Sequence, residues 1–423
     1  MYFSEKRGRY MFEKYLVTGG SGPVGKLVTN VLLESGLNVR VLIGPEDSQA
    51  AYEGKNVEIF RGEIFDKDSL KDFFTLDNPR NACVIHTEEV VSISSQPNLN
   101  MRRINVSGSQ NVVDQCIKYK IGKIVALGSA YALNPDNSTE NAVLHFDRTK
   151  VEGDYARSKA EAGAYIVEKI SLNRLNAVIL LPTFIIGPGF PDDYEMNKIL
   201  ERFLESGVPT IKGGHAFVDI RDVANALVSL TENGQVGGCY ILNGEYKSAD
   251  DFFTVVSATS PKEVQVRKAP RWIMRRSLAR FADTYYRISK KDNPKEVYAL
   301  FMNMPDQQFN STVQDLLPAK EVIGIHDSLN YVLNGIEELM PKPAPAEEEK
   351  APAETEVKAE DAAGAGQPPV SAEAVEAAVS EAVAEDAEAA VQTLGDIADT
   401  VAAEVPEAAD IPDVPDIPET PEI

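Results

Sequence analysis

The sequence predicts an α/β protein built on a parallel, doubly wound sheet, and three observations predict it. Residues 12–240 carry six short runs of continuous Val, Ile and Leu, the pattern of strands buried on both faces. Helical patterns lie between these runs, at the length that parallel crossovers need. Short glycine-bearing connections such as Glu34-Ser35-Gly36 close the helices.

In chain order the strands are "KYLVTGG", "NVRVLIG", "NVEIFRG", "ACVIHT", "GKIVALGS" and "NAVILLPT". The helices are read over Lys26–Ser35, Asp68–Thr75, Asn105–Tyr119 and Tyr155–Ser171. The run "AVILLPTFIIG" is too short to span a bilayer, and Pro182 with Gly187-Pro188-Gly189 marks a buried strand and a turn. Beyond Pro188 the pattern mixes. "HAFVDIRDVANALVSL" reads as a strand and a helix capped by Asp222, "CYILNG" as a strand, and "SADDFFTVVSA" as a helix capped by Ser248. Residues 188–215 and 245–335 are expected to form a small substrate lobe. Within it, Lys268–Leu300 reads as basic, aromatic helices. Arg271, Arg275, Arg276 and Arg280 alternate there with Trp272, Ile273, Leu278 and Phe281. A substrate-covering helix with a solvated basic face is preferred to a peripheral membrane contact.

Charge divides the chain further. Of the net −23, residues 341–423 carry −19, from 22 acidic and 3 basic side chains, leaving about −4 for residues 1–340. The tail is rich in Ala, Glu and Pro and holds no aromatic residue or arginine, so it is expected to be disordered. Valines spaced helically over 371–405 make either a transient helix or a partner-docking one, and "DIPDVPDIPETPEI" should be polyproline II. Residues 1–11 are polar and are expected to be an N-terminal extension rather than a signal peptide. There is no basic footprint for nucleic acid. Three cysteines and four histidines show neither a disulfide framework nor metal-ligand spacing, which fits a reducing compartment such as the cytoplasm. His86 and His215 read as structural. A homodimer stays open.

"YLVTGGSGPVGKLV" places Gly19, Gly22 and Gly25 directly after the first strand and at the start of a helix. A dinucleotide pyrophosphate meets backbone N–H groups and a positive helix end at that position, so a Rossmann-type cofactor site is expected, formed by Gly19, Gly22, Pro23, Val24 and Gly25. The spacing is G-x-x-G-x-x-G. With it come, in order, "GEIFDKDSL", "VIHT", "NVSGSQNVVDQC", "IVALGSAYAL", "YARSKAEA", "LLPTFIIGPG", "FVDIRDVA" and "YILNGE". This ordered set, over roughly residues 12–335, resembles the extended short-chain dehydrogenase/reductase superfamily, which includes the NAD-dependent epimerases and dehydratases. "VIHT", "YILNGEYKSADDFF" and "KAPRWI" are most similar to its 3β-hydroxysteroid dehydrogenase and dihydroflavonol reductase branch.

The resemblance implies roles. Tyr155 and Lys159 match the catalytic Tyr-x-x-x-Lys pair, and Ser129 the serine that orients the substrate oxygen. Glu63 and Ile64 match the pair beside the adenine, Thr87 a strand-end cofactor contact, and Pro182 and Thr183 the segment along the nicotinamide. It implies an NAD(P)-dependent oxidoreductase acting at an alcohol or ketone of a hydrophobic ring, with a nucleotide-sugar epimerase or dehydratase and a non-catalytic scaffold as alternatives. The electrostatics suit the pair. A phenol titrating near 10 needs roughly 3–4 kcal/mol to exchange a proton near neutrality, and a cation about 4 Å away supplies about 4 kcal/mol at an effective dielectric of about 20.

Two departures stand out. The second strand ends in Ile43 and Gly44, with neither the acid that holds an NAD ribose nor the arginine that holds an NADP phosphate, which gives a slight lean to NADP. Glu88 and Glu89 stand where small residues normally pack against the cofactor. Either they turn away, or they weaken its binding.

Overall fold

The computed structural model describes residues 12–92, 98–133, 146–172, 174–191, 194–206, 209–210, 213–260, 264, 267–268, 308–313 and 322–339. All fall within the unit of residues 1–344. The expectations for residues 1–11, for most of Lys268–Leu300 and for the acidic tail lie outside the described residues.

The chain order is β1 (Lys14–Thr18), α1 (Pro23–Glu34), β2 (Val39–Ile43), β3 (Val57–Arg61), α2 (Lys71–Phe74), β4 (Ala82–His86) and α3 (Leu99–Arg102). A π-helical turn, Arg103–Gly108, leads into α4 (Ser109–Tyr119), followed by β5 (Lys123–Leu127), α5 (Asp154–Ser171), β6 (Ala177–Pro182), β7 (Phe184–Ile186) and α6 (Glu195–Ser206). Then come β8 (Pro209–Thr210), β9 (Gly214–Asp219), α7 (Ile220–Asn233), β10 (Cys239–Leu242), β11 (Glu245–Ser248), α8 (Ala249–Thr259), β12 (Arg267–Lys268) and α9 (Ile325–Leu339). Seven strands form one sheet in the order β10-β6-β5-β4-β1-β2-β3, and every pairing in it is parallel. This is the doubly wound α/β sheet that the sequence predicts. A smaller sheet, β11-β9-β7, and the short pair β12-β8 stand beside it.

Alternate residues of each strand enter different cores, as the period of two requires. Leu16, Ile179 and Leu181 pack into one hydrophobic cluster, while Tyr15, Val17, Val178 and Leu180 pack into another. Lys123, 4% exposed, donates to the carbonyls of Leu230, Thr231 and Gly234 at 2.8, 2.9 and 2.8 Å. A cation at the C-terminal end of α7 satisfies oxygens that the helix leaves unpaired.

Two local expectations need correction. Asp219, not Asp222, caps α7: its backbone is still extended (φ −72, ψ 137) and its side chain accepts from Arg221 N–H. Asp222 instead accepts from Ile323 N–H at 2.7 Å. The helix expected over Asp68–Thr75 shrinks to the four residues of α2, because Ser69 Oγ bonds the carbonyls of Glu63 and Asp66 and holds the approach as a turn. Ser248 does cap α8, accepting from Asp251 N–H.

Strand order reverses between β1 and β4, where the chain has gone one way to β2 and β3 and then returned. In open sheets of this kind the ligand crevice opens at the carboxyl ends of the strands flanking that point. Among the described residues, no helix is long and apolar enough to cross a membrane.

Candidate active site

The crevice is present. A cleft with about 990 Å³ of space, open mouth included, is lined by Gly19, Gly22, Pro23 and Val24 on one side and by Ser129, Tyr155, Pro182 and Thr183 on the other. Thr87, Glu88 and Glu89 floor it at the end of β4. Most predicted site residues therefore meet in one place, although they come from five separate segments of chain.

The glycine loop is shaped by close approach. Gly19 has φ +74, and a Cβ there would lie 2.6 Å from Glu88 N. A Cβ on Gly25 would lie 2.0 Å from Gly19 O, so α1 can start only where that side chain is missing. Gly22 caps α1 without a side-chain hydrogen bond, Pro23 follows, and the first turn holds no acid. The positive N-terminal end of α1, with Gly22, Pro23 and Val24, thus lines the cleft, as an anionic pyrophosphate requires.

Thr87 is fixed by its hydroxyl, which donates to Thr18 O at 2.7 Å. His86 lies between Thr18 Oγ1 (2.7 Å) and Ser109 Oγ (2.9 Å). Burial, and then Lys159, push its imidazole down to about 3, so it is a neutral strut. His215 makes a 2.9 Å bond to the Tyr131 hydroxyl behind the cleft. Both histidines are buried and hydrogen-bonded to neighbouring side chains. Among the described residues, no group of three or more His, Cys, Asp or Glu side chains could hold a metal ion.

Glu63 and Ile64 stay outside the cleft lining. Glu63 exchanges backbone hydrogen bonds with Ser69 Oγ, and Ile64 is 4% exposed with its side chain against Gly108. At the end of β2 the chain supplies an acid that the strand-end positions lack. Asp47 folds back so that Oδ2 accepts from Gly44 N–H at 2.8 Å. Arg61 holds this loop by donating to the carbonyls of Gly44, Pro45 and Asp47 at 3.2, 2.8 and 2.9 Å.

Tyr155 and Lys159 lie one turn apart on α5. Lys159 is 6% exposed and donates to Leu127 O at 2.7 Å. Glu89 decides how the pair behaves. Its Oε2 accepts from the Tyr155 hydroxyl at 3.1 Å and pairs with Lys159 Nζ at 2.8 Å. The net effect on the phenol is upward. Burial, then Glu89 and Tyr194, hold Tyr155 well above its ordinary value, while the Ser129 hydroxyl pulls the other way. Glu88 also lines the cleft. Burial, then Asp47 and Glu89, raise its carboxyl to about 7.

The residues thus fit a dinucleotide at the glycine loop, while two carboxylates stand against its negative charge. The aromatic wall was not legible in the sequence. Phe190 stacks on Tyr194 at 4.1 Å between centroids, and Tyr131 and Phe184 line the same cleft.

Known proteins resemble this chain in both sequence and fold. Sterol demethylase protein B of Methylococcus capsulatus is 26% identical over 236 residues, covering 55% of this chain and 70% of that one. Vestitone reductase of Medicago sativa is 27% identical over 271 residues, covering 58% and 81%. Among solved structures, the UDP-glucose 4-epimerase of Thermus thermophilus in complex with NAD has a similar fold, with a TM-score of 0.56 at 20% identity over 77% of this chain and 100% of that one. The model of the NAD dependent epimerase/dehydratase family matches residues 15–242, just over half of the chain. The chain belongs to that family, and with it to the extended short-chain dehydrogenase/reductases.

Proposed function

We propose that this protein is an NAD-dependent oxidoreductase that interconverts an alcohol and a ketone on a hydrophobic ring substrate. The observation that carries the reading is the meeting of the glycine loop, Ser129 and Tyr155 in one cleft with an aromatic wall. When bound, the dinucleotide supplies or takes the hydride. Ser129 hydrogen-bonds the substrate oxygen, and Tyr155 gives it a proton or takes one. Lys159, fixed on Leu127 O and paired with Glu89, is held beside the Tyr155 hydroxyl. Gly19, Gly22, Pro23, Val24, Gly25 and Thr87 would hold the pyrophosphate half, and Pro182 and Thr183 would hold the nicotinamide half. Glu63 and Ile64 would join them only at the adenine edge.

Asp47 moves the cofactor preference from NADP to NAD. The lean to NADP rested on a missing acid at the end of β2, and Asp47 supplies one on Gly44 N–H. The guanidinium that could serve a 2′-phosphate, Arg61, already has its donors on three carbonyls and Gln49 Oε1.

The sugar-nucleotide alternative requires a place for a second diphosphate. Among the described residues, the cleft is lined by Glu88 and Glu89 and by no lysine or arginine, which favours a neutral substrate. The same carboxylates support a competing reading, a dinucleotide-binding scaffold without turnover.

The test is NADH-dependent reduction of a panel of steroid and dihydroflavonol ketones, followed by Tyr155→Phe on any substrate found. Loss of the acid should lower kcat by about 10²–10⁴-fold. Full turnover in that variant would refute the assignment.

A further inference from the structure

Glu89 carries a charge that the proposed reaction does not use, and the fold holds it in place. Its side chain is 12% exposed and its Oε2 touches both Tyr155 and Lys159. Asn105, in the π-helical turn, grips the next residue by both backbone groups. Val90 N–H donates to Asn105 Oδ1 at 2.8 Å, and Asn105 Nδ2 donates to Val90 O at 2.9 Å. Asn105 Nδ2 also donates to Ser158 Oγ at 3.1 Å, on the helix between Tyr155 and Lys159. One side chain thus ties the segment that bears Glu89 to the helix that bears its two partners. π-Turns of this kind gather at functional sites.

We propose that Glu89 is a positioning residue for proton transfer: it binds Tyr155 and Lys159 into one hydrogen-bonded unit and cancels the lysine's charge at the phenol. The catalytic meaning of this unit rests on the function proposed above; its electrostatics do not. Among the described residues, the groups facing it are few. Tyr155 faces Glu89, Ser129 and, from the head of α6, Tyr194. Glu89 faces Lys159, Tyr155, Glu88 and Tyr194, and Glu195 acts on the same Tyr194. Lys159 also acts on His86, which is neutral. Lys159 is therefore the cation whose influence on the phenol Glu89 cancels. Replacing that carboxylate by an amide leaves the hydrogen bond and exposes the phenol to an uncompensated ammonium.

The experiment is a pH titration of the full chain, with tyrosine isotopically labelled at the ring carbon that bears the hydroxyl. The Tyr155 resonance is assigned by its loss in Tyr155→Phe. In the wild type it should remain that of a neutral phenol through about pH 10, the ordinary tyrosine midpoint. In Glu89→Gln its midpoint should fall by roughly one to two pH units. An unchanged midpoint in Glu89→Gln would overturn the proposal. Should that variant not fold, the wild type decides: ionisation of Tyr155 below about pH 9 would equally overturn it. The titration requires no dinucleotide or substrate. Failure of the functional reading would appear instead as absent NADH binding in the same sample, with the tyrosine shift intact.

Discussion

Glu88→Gln should stabilise the protein, and more so as the pH rises. Glu88 lines the cleft, with burial, Asp47 and Glu89 all acting against its charge, and its carboxyl is raised from 4.5 to about 7. At about 1.36 kcal/mol per tenfold, that displacement corresponds to about 3 kcal/mol. The side chain is half-buried at an open cleft, so screening reduces the expectation to about 1–3 kcal/mol. The sign follows from linkage. Below about pH 4.5 Glu88 is neutral in both the folded and the unfolded chain, and the amide changes nothing. Between there and about pH 7 the unfolded chain ionises while the folded chain keeps its proton. The stability associated with a protonated Glu88 is therefore lost as the pH rises through this window, and the loss is complete above about 7. Urea unfolding of wild type and Glu88→Gln at pH 4.5 and pH 8 measures this directly. The difference between the two proteins should be near zero at the lower pH and about 1–3 kcal/mol in favour of Gln at the higher. An equal difference at both pH values would refute the argument, since packing and not charge would then be responsible.

Other outcomes follow from the same cleft. Asp47→Asn should narrow the preference for NADH over NADPH by about tenfold in Kd, about 1.4 kcal/mol, because a 2′-phosphate no longer meets an acid at the end of β2; an unchanged ratio would remove Asp47 from cofactor choice. Gly25→Ala should abolish dinucleotide binding and cost about 1–3 kcal/mol in thermal or urea unfolding, since its Cβ would lie 2.0 Å from Gly19 O. Wild-type stability in that variant would mean that the turn is not as tight as described.

What the sequence made legible was whatever depends on period and punctuation. The six strand runs became β1 to β6 of the parallel sheet, because buried strands read as uninterrupted Val, Ile and Leu. Gly19 and Gly25 were legible because a missing Cβ is written in the residue name. That Ser129 and Tyr155 share a cleft was readable from family order alone, since nothing local sets a strand-end serine apart. The rest depended on contacts between distant segments. Asp47 counts as an acid at the end of β2 only once Arg61, on the neighbouring strand, has folded the loop back. The departure at Glu88 and Glu89 was visible, but its consequence was not. That Glu89 would engage Tyr155 and Lys159 depends on Asn105, which lies in the π-helical turn before α4 and binds both backbone groups of Val90. The cap of α7 was misplaced for a related reason. Asp219 and Asp222 are equally plausible by composition, and only the backbone shows where the strand ends.

Whether the cleft binds a nicotinamide dinucleotide despite its two carboxylates is the question on which the proposed function turns. Fluorescence titration of the full chain with NADH and with NADPH tests it most directly. NADH should bind saturably below millimolar concentration, more tightly than NADPH and more tightly still below pH 7, where Glu88 is neutral. Failure of both dinucleotides to saturate below millimolar concentration would contradict the proposed function.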